Sequence, residues 1–205
     1  MEENKNHWYD GIFYEKFIAP NQDKLFAQIK NIIGPDSKVI DVGCGTGRFS
    51  FTISDKCEFV FGIDLSKRNI DRAISLLSKN PKTNLSFRHT SVNEMISNGE
   101  YHFDYAVLTY VIHEVNTKER IPLLNEILKI ADKIIIGDYL IPSENRFWNL
   151  FNEIVEFGAG KEHYRNYKNF ISTGGIKEIA KTAGLKIVNE IKNKPVSSHL
   201  VILSD

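Results

Sequence analysis

Apolar and polar positions fall into two alternating regimes along the chain. Short apolar runs at 38–42, 59–63, 85–90, 103–108 and 133–137 have strand length, and between them the apolar positions take helical spacing. Ile70, Ala73, Ile74 and Leu77 mark a helix over 66–77, a short helix is expected over 92–96, and Ile121, Leu124, Ile127 and Leu128 line one face of a helix over 118–130. Strands that alternate with helices in this way predict a parallel, doubly wound α/β sheet covered on both faces.

Three stretches stand outside that alternation. Residues 8–33 are rich in aromatics, are interrupted by Pro20, and then place Leu25, Ile29 and Ile32 or Ile33 at helical intervals before the turn Gly34-Pro35-Asp36. This predicts an N-terminal helical cap over 1–36. Between 143 and 173 the pattern pauses in an aromatic helix broken at Gly158-Ala159-Gly160, read as a cap insertion over the site. Regular structure resumes with a helix over 175–183 stopped by Gly184, then strands over 185–191 and 199–203. At 205 residues the whole is expected to be a single domain with a substantial core.

Composition narrows the partners. Lysine plus arginine equals aspartate plus glutamate, 26 each, without a block of like charge, so the electrostatic footprint of a nucleic-acid binder is missing. No apolar run approaches the ~20 residues of a membrane helix, and MEENKNHWYDG lacks the apolar core of a signal peptide. A cytoplasmic location is expected. Cys44 and Cys57 are too few for a disulfide framework or a four-ligand zinc site, so both are expected to be reduced and no metal is expected.

The chemistry concentrates where the first strand meets Gly43-Cys44-Gly45-Thr46-Gly47. Glycine admits positive φ and a close ligand, and the helix beyond offers unpaired N–H donors. In an α/β sheet, ligands sit beyond the carboxyl ends of the strands, which gathers Asp41 to Gly47, Asp64, Ser91-Val92 and Leu108 to Glu114. A dinucleotide turn would carry glycine or alanine at position 48, where this chain has Arg48. Asp41, just before the turn, would repel a pyrophosphate but attract an amino or sulfonium group.

With D-V-G-C-G-T-G, then G-I-D-L-S, then F-D-Y-A-V-L-T-Y-V-I-H-E-V, the sequence resembles the class I S-adenosylmethionine-dependent methyltransferases from about Ser37 to Leu203. The resemblance implies a Rossmann-like seven-stranded, mostly parallel sheet with an antiparallel last strand. It implies S-adenosyl-L-methionine as cofactor, with Asp41, Gly43 and Gly45 at its methionine end and Cys44 and Gly47 also in the cofactor site. Asp64 would take the ribose hydroxyls beside Leu65, and Ser91, Val92, Leu108 and Thr109 would complete the cofactor site. A carboxylate suits the ribose because each oxygen can accept one vicinal hydroxyl. Family members commonly have Asp-Ala where Ser91-Val92 stands.

His113 matches a histidine position after strand four and, with its near-neutral pKa, is the candidate general base. Tyr14 is a second catalytic candidate. Tyr9, Tyr110, His163, Tyr164, Arg165 and Tyr167 are candidate acceptor contacts. Each has a plainer reading: Asp64 as a helix cap in competition with Ser66, His113 as a buried hydrogen-bonded residue, and the tyrosines as covers whose rings pack while their tips stay wet.

Methyl transfer from a sulfonium chiefly requires alignment and exclusion of water. Leu108-Thr109-Tyr110-Val111 replaces the N-P-P-Y type motif of amino-methylating nucleic-acid enzymes, and no Pro-Cys pair is present there. A small-molecule acceptor with an apolar or aromatic body is therefore expected. Two alternatives remain open: a methyltransferase acting on protein or RNA, and a non-catalytic cofactor-binding module.

Overall fold

The computed structural model describes residues 19–99, 102–141, 146–193 and 198–205. Seven strands form one sheet in the order β3-β2-β1-β4-β5-β7-β6: β1 (Lys38–Val42), β2 (Phe59–Asp64), β3 (Leu85–His89), β4 (Phe103–Thr109), β5 (Ala131–Tyr139), β6 (Lys186–Lys192) and β7 (Ser198–Ser204). The first five run parallel, and β7 lies antiparallel between β5 and β6. This is the seven-stranded sheet with an antiparallel last strand that the resemblance implied. Strand order reverses between β1 and β4, the place where such sheets open a crevice.

Side-chain parity assigns each residue to a face. Ile40, Val42, Ala106, Leu108, Ile134 and Ile136 join one apolar cluster with Val92 and Met95 of α4 (Val92–Asn98), Leu124 and Ile127 of α5 (Arg120–Ile127), Phe170 of α7 (Lys161–Ser172) and Ile176 and Ile179 of α8 (Gly175–Thr182). Val39, Val60, Val107 and Ile135 pack on the other face against Leu25, Phe26 and Ile29 of α1 (Ala19–Ile32) and Phe49 and Ile53 of α2 (Arg48–Ile53). By the same parity Asp41 looks toward α2, whereas Asp138 looks toward α7.

Helix α1 buries the expected Leu25 and Ile29, and Ile33 is buried just beyond its end. The helix lies so close to β5 that a Cβ on Gly137 would stand 2.6 Å from Leu25 Cδ2. Ser66 caps α3 (Lys67–Lys79) by accepting the Asn69 amide, which leaves Asp64 out of that role. The pause after β5 holds α6 (Arg146–Ala159) and α7, broken at Gly160, whose φ is 123°. Gly184 closes α8 with paired bonds, Leu185 N–H to Ala180 O and Gly184 N–H to Lys181 O.

Strand β5 and helix α5 depart most from the pattern, α5 ending at Ile127 and not at 130. Strand β5 gains two residues at each end, because β4 pairs with it from Phe103↔Ala131 and its antiparallel partner β7 pairs out to Tyr139↔Ser198. Helix α5 starts at Arg120 because Asn116 makes a turn first, its Oδ1 accepting the Lys118 amide.

Candidate active site

The turn after β1 is shaped by glycines for two different reasons. Gly43, Gly45 and Gly47 all have positive φ. A Cβ on Gly43 would meet Val111 Cγ2 at 2.6 Å, and one on Gly47 would meet the Phe87 ring at 2.4 Å, so both are demanded by packing. A Cβ on Gly45 would meet nothing within 4 Å. There the bare backbone faces open space, as a ligand cradle requires.

Two carboxylates flank this turn. Asp41 is fully buried, and Ser50 Oγ donates to its Oδ2 at 2.5 Å while its Oδ1 is buried with no donor. Burial raises its pKa to about 7; the Ser50 hydrogen bond opposes the rise and the nearby Asp64 charge adds to it. Asp64 ends β2, its Oδ2 accepting the Gly45 amide at 2.8 Å and its Oδ1 the Ser66 amide at 2.7 Å. An ionised carboxylate has about four acceptor sites, so each oxygen keeps capacity for a further hydroxyl.

These features fit S-adenosylmethionine. A buried carboxylate oxygen without a donor matches a cationic amino end, the open Gly45 backbone matches a closely held chain, and the remaining Asp64 lone pairs match a ribose diol. Arg48, where a dinucleotide turn would have glycine, instead reaches back to α1, donating to Gln22 at 2.9 Å and pairing with Asp23 at 2.6 Å.

The other predicted cofactor residues lie around this turn with varied roles. Leu65 is 76% exposed next to Asp64. Cys44 is buried in the turn, and burial first, then the Asp41 and Asp64 charges, push its thiol pKa well up, so it is no thiolate. Ser91 caps α4, its hydroxyl accepting the Glu94 amide in a reciprocal capping box. Val92 and Leu108 point into the core, while Thr109 ends β4 half-buried.

A second centre lies beyond β4 and β5. Tyr110 follows β4 at φ 57°, a left-handed backbone rare for a bulky residue, and its amide donates to Gly137 O at 2.7 Å. Val111 then abuts Gly43, which seats the following His113 close behind the glycine turn. His113 is 1% exposed. Its Nδ1 lies 2.7 Å from Asp138 Oδ1 and its backbone amide donates to Asp138 Oδ2.

From α6, Glu156 brings Oε1 to 3.4 Å from His113 Nε2 and accepts the Tyr139 hydroxyl at 2.7 Å. Burial works against a charged His113, but the Asp138 and then the Glu156 carboxylates outweigh it and hold the imidazole pKa well above its ordinary value. Burial likewise opposes ionisation of Glu156, and His113 outweighs it, so Glu156 stays below the usual range.

Helix α7 closes this centre. Tyr167 is buried against Tyr139, ring centroids 5.2 Å apart, and against His113 at 6.3 Å. His163 sits at the rim, its Nδ1 3.6 Å from Glu114 Oε1. Tyr164 turns toward α6 and donates to Glu153 at 2.6 Å, and Arg165 lies on the exposed side with Glu162 at 3.5 Å. Of the predicted acceptor contacts, the fold thus gathers Tyr110, His163 and Tyr167 around His113 and turns Tyr164 and Arg165 away. Tyr9 and Tyr14 lie outside the described residues.

Sequence reasoning did not select Asp138, Tyr139, Glu156 or Arg120. Arg120 is 2% exposed and ties the segment after β4 to α7, donating to Val115 O, His113 O and Asn166 O and to Asn169 Oδ1. One signal for Asp138 exists in the sequence: it shares strand parity with Ile134 and Ile136, a charge on the buried face at a strand's carboxyl end.

A seven-stranded sheet reversing at β1/β4, with a glycine turn and carboxylates closing β1 and β2, defines a Rossmann-like domain of the methyltransferase class. The chain belongs to the methyltransferase-domain family, whose model matches residues 33–183. It is 26% identical over 129 residues to the O-antigen chain terminator bifunctional methyltransferase/kinase WbdD of Escherichia coli, an alignment covering 61% of this chain and 18% of that one. It is 25% identical to O-methyltransferase 4 of Dictyostelium discoideum, covering 92% of this chain and 57% of that one. The chain thus spans under a fifth of the first of these relatives.

In fold it is similar to the N-methyltransferase NodS of Bradyrhizobium japonicum, solved with S-adenosyl-L-homocysteine (TM-score 0.66, 14% identity, 98% of this chain and 93% of that one). A Pyrococcus horikoshii protein gives the same score at 18% identity, covering 96% of this chain and 93% of that one.

Proposed function

We propose that this protein transfers the methyl group of S-adenosylmethionine to a small-molecule acceptor held beneath α6 and α7. The observation that carries this reading is the buried Asp41 oxygen without a donor, set beside the open Gly45 backbone and the Asp64 carboxylate. Asp41 and the backbone of 43–47 would hold the methionine end, and Asp64 the ribose. When bound, the cofactor supplies an electrophilic methyl carbon on a sulfonium.

The chain's own residues do the rest by position and enclosure. Tyr110, Tyr139 and Tyr167 present ring surface to an apolar or aromatic acceptor. Helix α7 is held over the segment after β4 by Arg120 and by Asn166, whose amide nitrogen donates to Glu114 O at 2.7 Å. Such enclosure limits access by water and fixes the acceptor, and good alignment alone contributes roughly 7–11 kcal/mol in well-oriented systems. The small-molecule preference is supported by this covering of His113 and by the absence of a net charge.

A screen of small acceptors with labelled S-adenosylmethionine tests the proposal. Label transfer to a small molecule is the expected result; transfer only to protein or RNA would replace this acceptor class with a macromolecular one.

A further inference from the structure

Beneath the cap, two adjacent buried groups each keep one polar atom without a hydrogen-bond partner: Nε2 of His113 and Oε2 of Glu156. The groups are 1% and 3% exposed. The 3.4 Å between His113 Nε2 and Glu156 Oε1 is close enough for charge attraction but lacks hydrogen-bond alignment. Leaving such atoms unmatched costs about 1–3 kcal/mol each, so the arrangement calls for an occupant that answers both.

Glu114 Oε1, 3.8 Å from His113 Nε2, lies beyond hydrogen-bonding distance and faces His163 Nδ1 at 3.6 Å, a rim nitrogen that also lacks a hydrogen-bond partner. Asp138 holds His113 Nδ1, Tyr139 holds Glu156 Oε1, and the imidazole is walled by the rings of Tyr139, Tyr167 and Phe170. At the His113–Glu156 contact itself, one donor and one acceptor remain. An imidazolium can only donate and a carboxylate can only accept, so the complement is a single atom that does both. A hydroxyl oxygen does. An alkylamine beside a carboxylate is held as the ammonium, which only donates and would meet the imidazolium charge; an aniline nitrogen, its lone pair delocalised into the ring, is a poor acceptor; a thiol is weak as donor and as acceptor, and a thiolate only accepts.

Resting on the methyl-transfer reading above, we propose that the acceptor is a hydroxyl compound methylated on oxygen, with Glu156 taking its proton and His113 Nε2–H holding its oxygen. In the transfer the acceptor oxygen forms the new C–O bond, and the bond from methyl carbon to sulfur breaks with its electron pair staying on sulfur. The hydroxyl proton passes to Glu156 Oε2 and leaves to water after the product departs. A carboxylate of low basicity suffices because the attacking oxygen becomes strongly acidic as the C–O bond forms. Asp138 and Tyr139 are positioning residues, fixing the imidazole and the carboxylate respectively.

The test uses the full chain, labelled S-adenosylmethionine, and a library of phenols and alcohols paired with their aniline, amine and thiol isosteres. Hydroxyl compounds should be methylated and their nitrogen and sulfur partners not. Glu156→Gln, close in shape, should lower kcat by about 10²–10⁴-fold, the usual size of a lost proton acceptor, while S-adenosylhomocysteine affinity by calorimetry is retained.

A readout independent of turnover is the ¹⁵N spectrum of histidine-labelled protein saturated with S-adenosylhomocysteine. Adding a hydroxyl substrate should move the His113 Nε2 resonance, and its amine isostere should not. Methylation on nitrogen or sulfur, no methylated hydroxyl compound, or an unchanged kcat in Glu156→Gln would each overturn the proposal. Failure of the wild-type chain to bind S-adenosylhomocysteine is a separate outcome, which overturns the methyl-transfer reading beneath it.

Discussion

Asp41 and Asp64 stand at the ends of adjacent strands, yet their surroundings give them opposite tasks. Asp41 is wholly buried with its pKa raised to about 7 from 3.8. Because the native state then binds more protons than the unfolded chain, ionising Asp41 costs stability as pH rises from about 4 to 7. A cationic ligand reverses that cost. S-adenosylhomocysteine, which keeps the amino group, should therefore bind more tightly as pH rises toward 7, with proton release below it; Asp41→Asn should bind more weakly and lose this dependence in calorimetric titrations.

In the proposed cofactor site Asp64 acts through its lone pairs. Asp64→Ala should weaken S-adenosylhomocysteine about 100-fold, since two hydrogen bonds to a charged group at about 1.5 kcal/mol each are lost. Unchanged affinity would remove Asp64 from the site. Both carboxylates were legible in the sequence because Asp41 interrupts an apolar run just before the glycine turn and Asp64 ends the next apolar run, a helix and a strand later. Glu156 was not legible. It sits mid-helix in an amphipathic segment, and only the packing of α6 against β5 brings it to Tyr139 and His113.

At the scale of elements, strands were easier to read than the cap. Parallel strands buried on both faces leave near-continuous apolar runs, so β1, β2 and β4 stand where the pattern put them. Lengthening of β5 at its carboxyl end depends on a partner some 60 residues onward in sequence, which local pattern does not encode. The role of Arg120 was hidden for a similar reason: a cation at a helix start ordinarily reads as solvated, and here it is consumed by carbonyls from two other segments.

Arg120→Met should remove the cationic donor and leave those carbonyls unmatched, costing about 3 kcal/mol. For a domain of this size that corresponds to a Tm lower by roughly 6–12 °C, read by calorimetry. A shift under a degree would mean that α7 is held by its apolar contacts alone. Gly47→Ala combines a forced positive φ with a Cβ 2.4 Å from the Phe87 ring, and should destabilise by about 2 kcal/mol or more in denaturant titrations.

Across the whole molecule, two neighbouring sites share one sheet edge and one connecting segment. The proposed cofactor side rests on β1, β2 and the glycine turn; the proposed acceptor side rests on Tyr110 to His113, β5 and helices α6 and α7. Val111 against Gly43 joins them. The division explains why family membership and cofactor class were accessible from motifs, while the acceptor was not. Motifs record the shared half, whereas the proposed acceptor half is assembled from α6 and α7 by tertiary packing.

The most direct measurement of the central claim is a thermal shift on the full chain with S-adenosylhomocysteine and, separately, with NAD. A ligand that binds only the native state raises its stability by about 2.7 kcal/mol at 100 times its Kd. S-adenosylhomocysteine should raise the Tm by several degrees and NAD should leave it unchanged; stabilisation by NAD with none from S-adenosylhomocysteine would contradict the account.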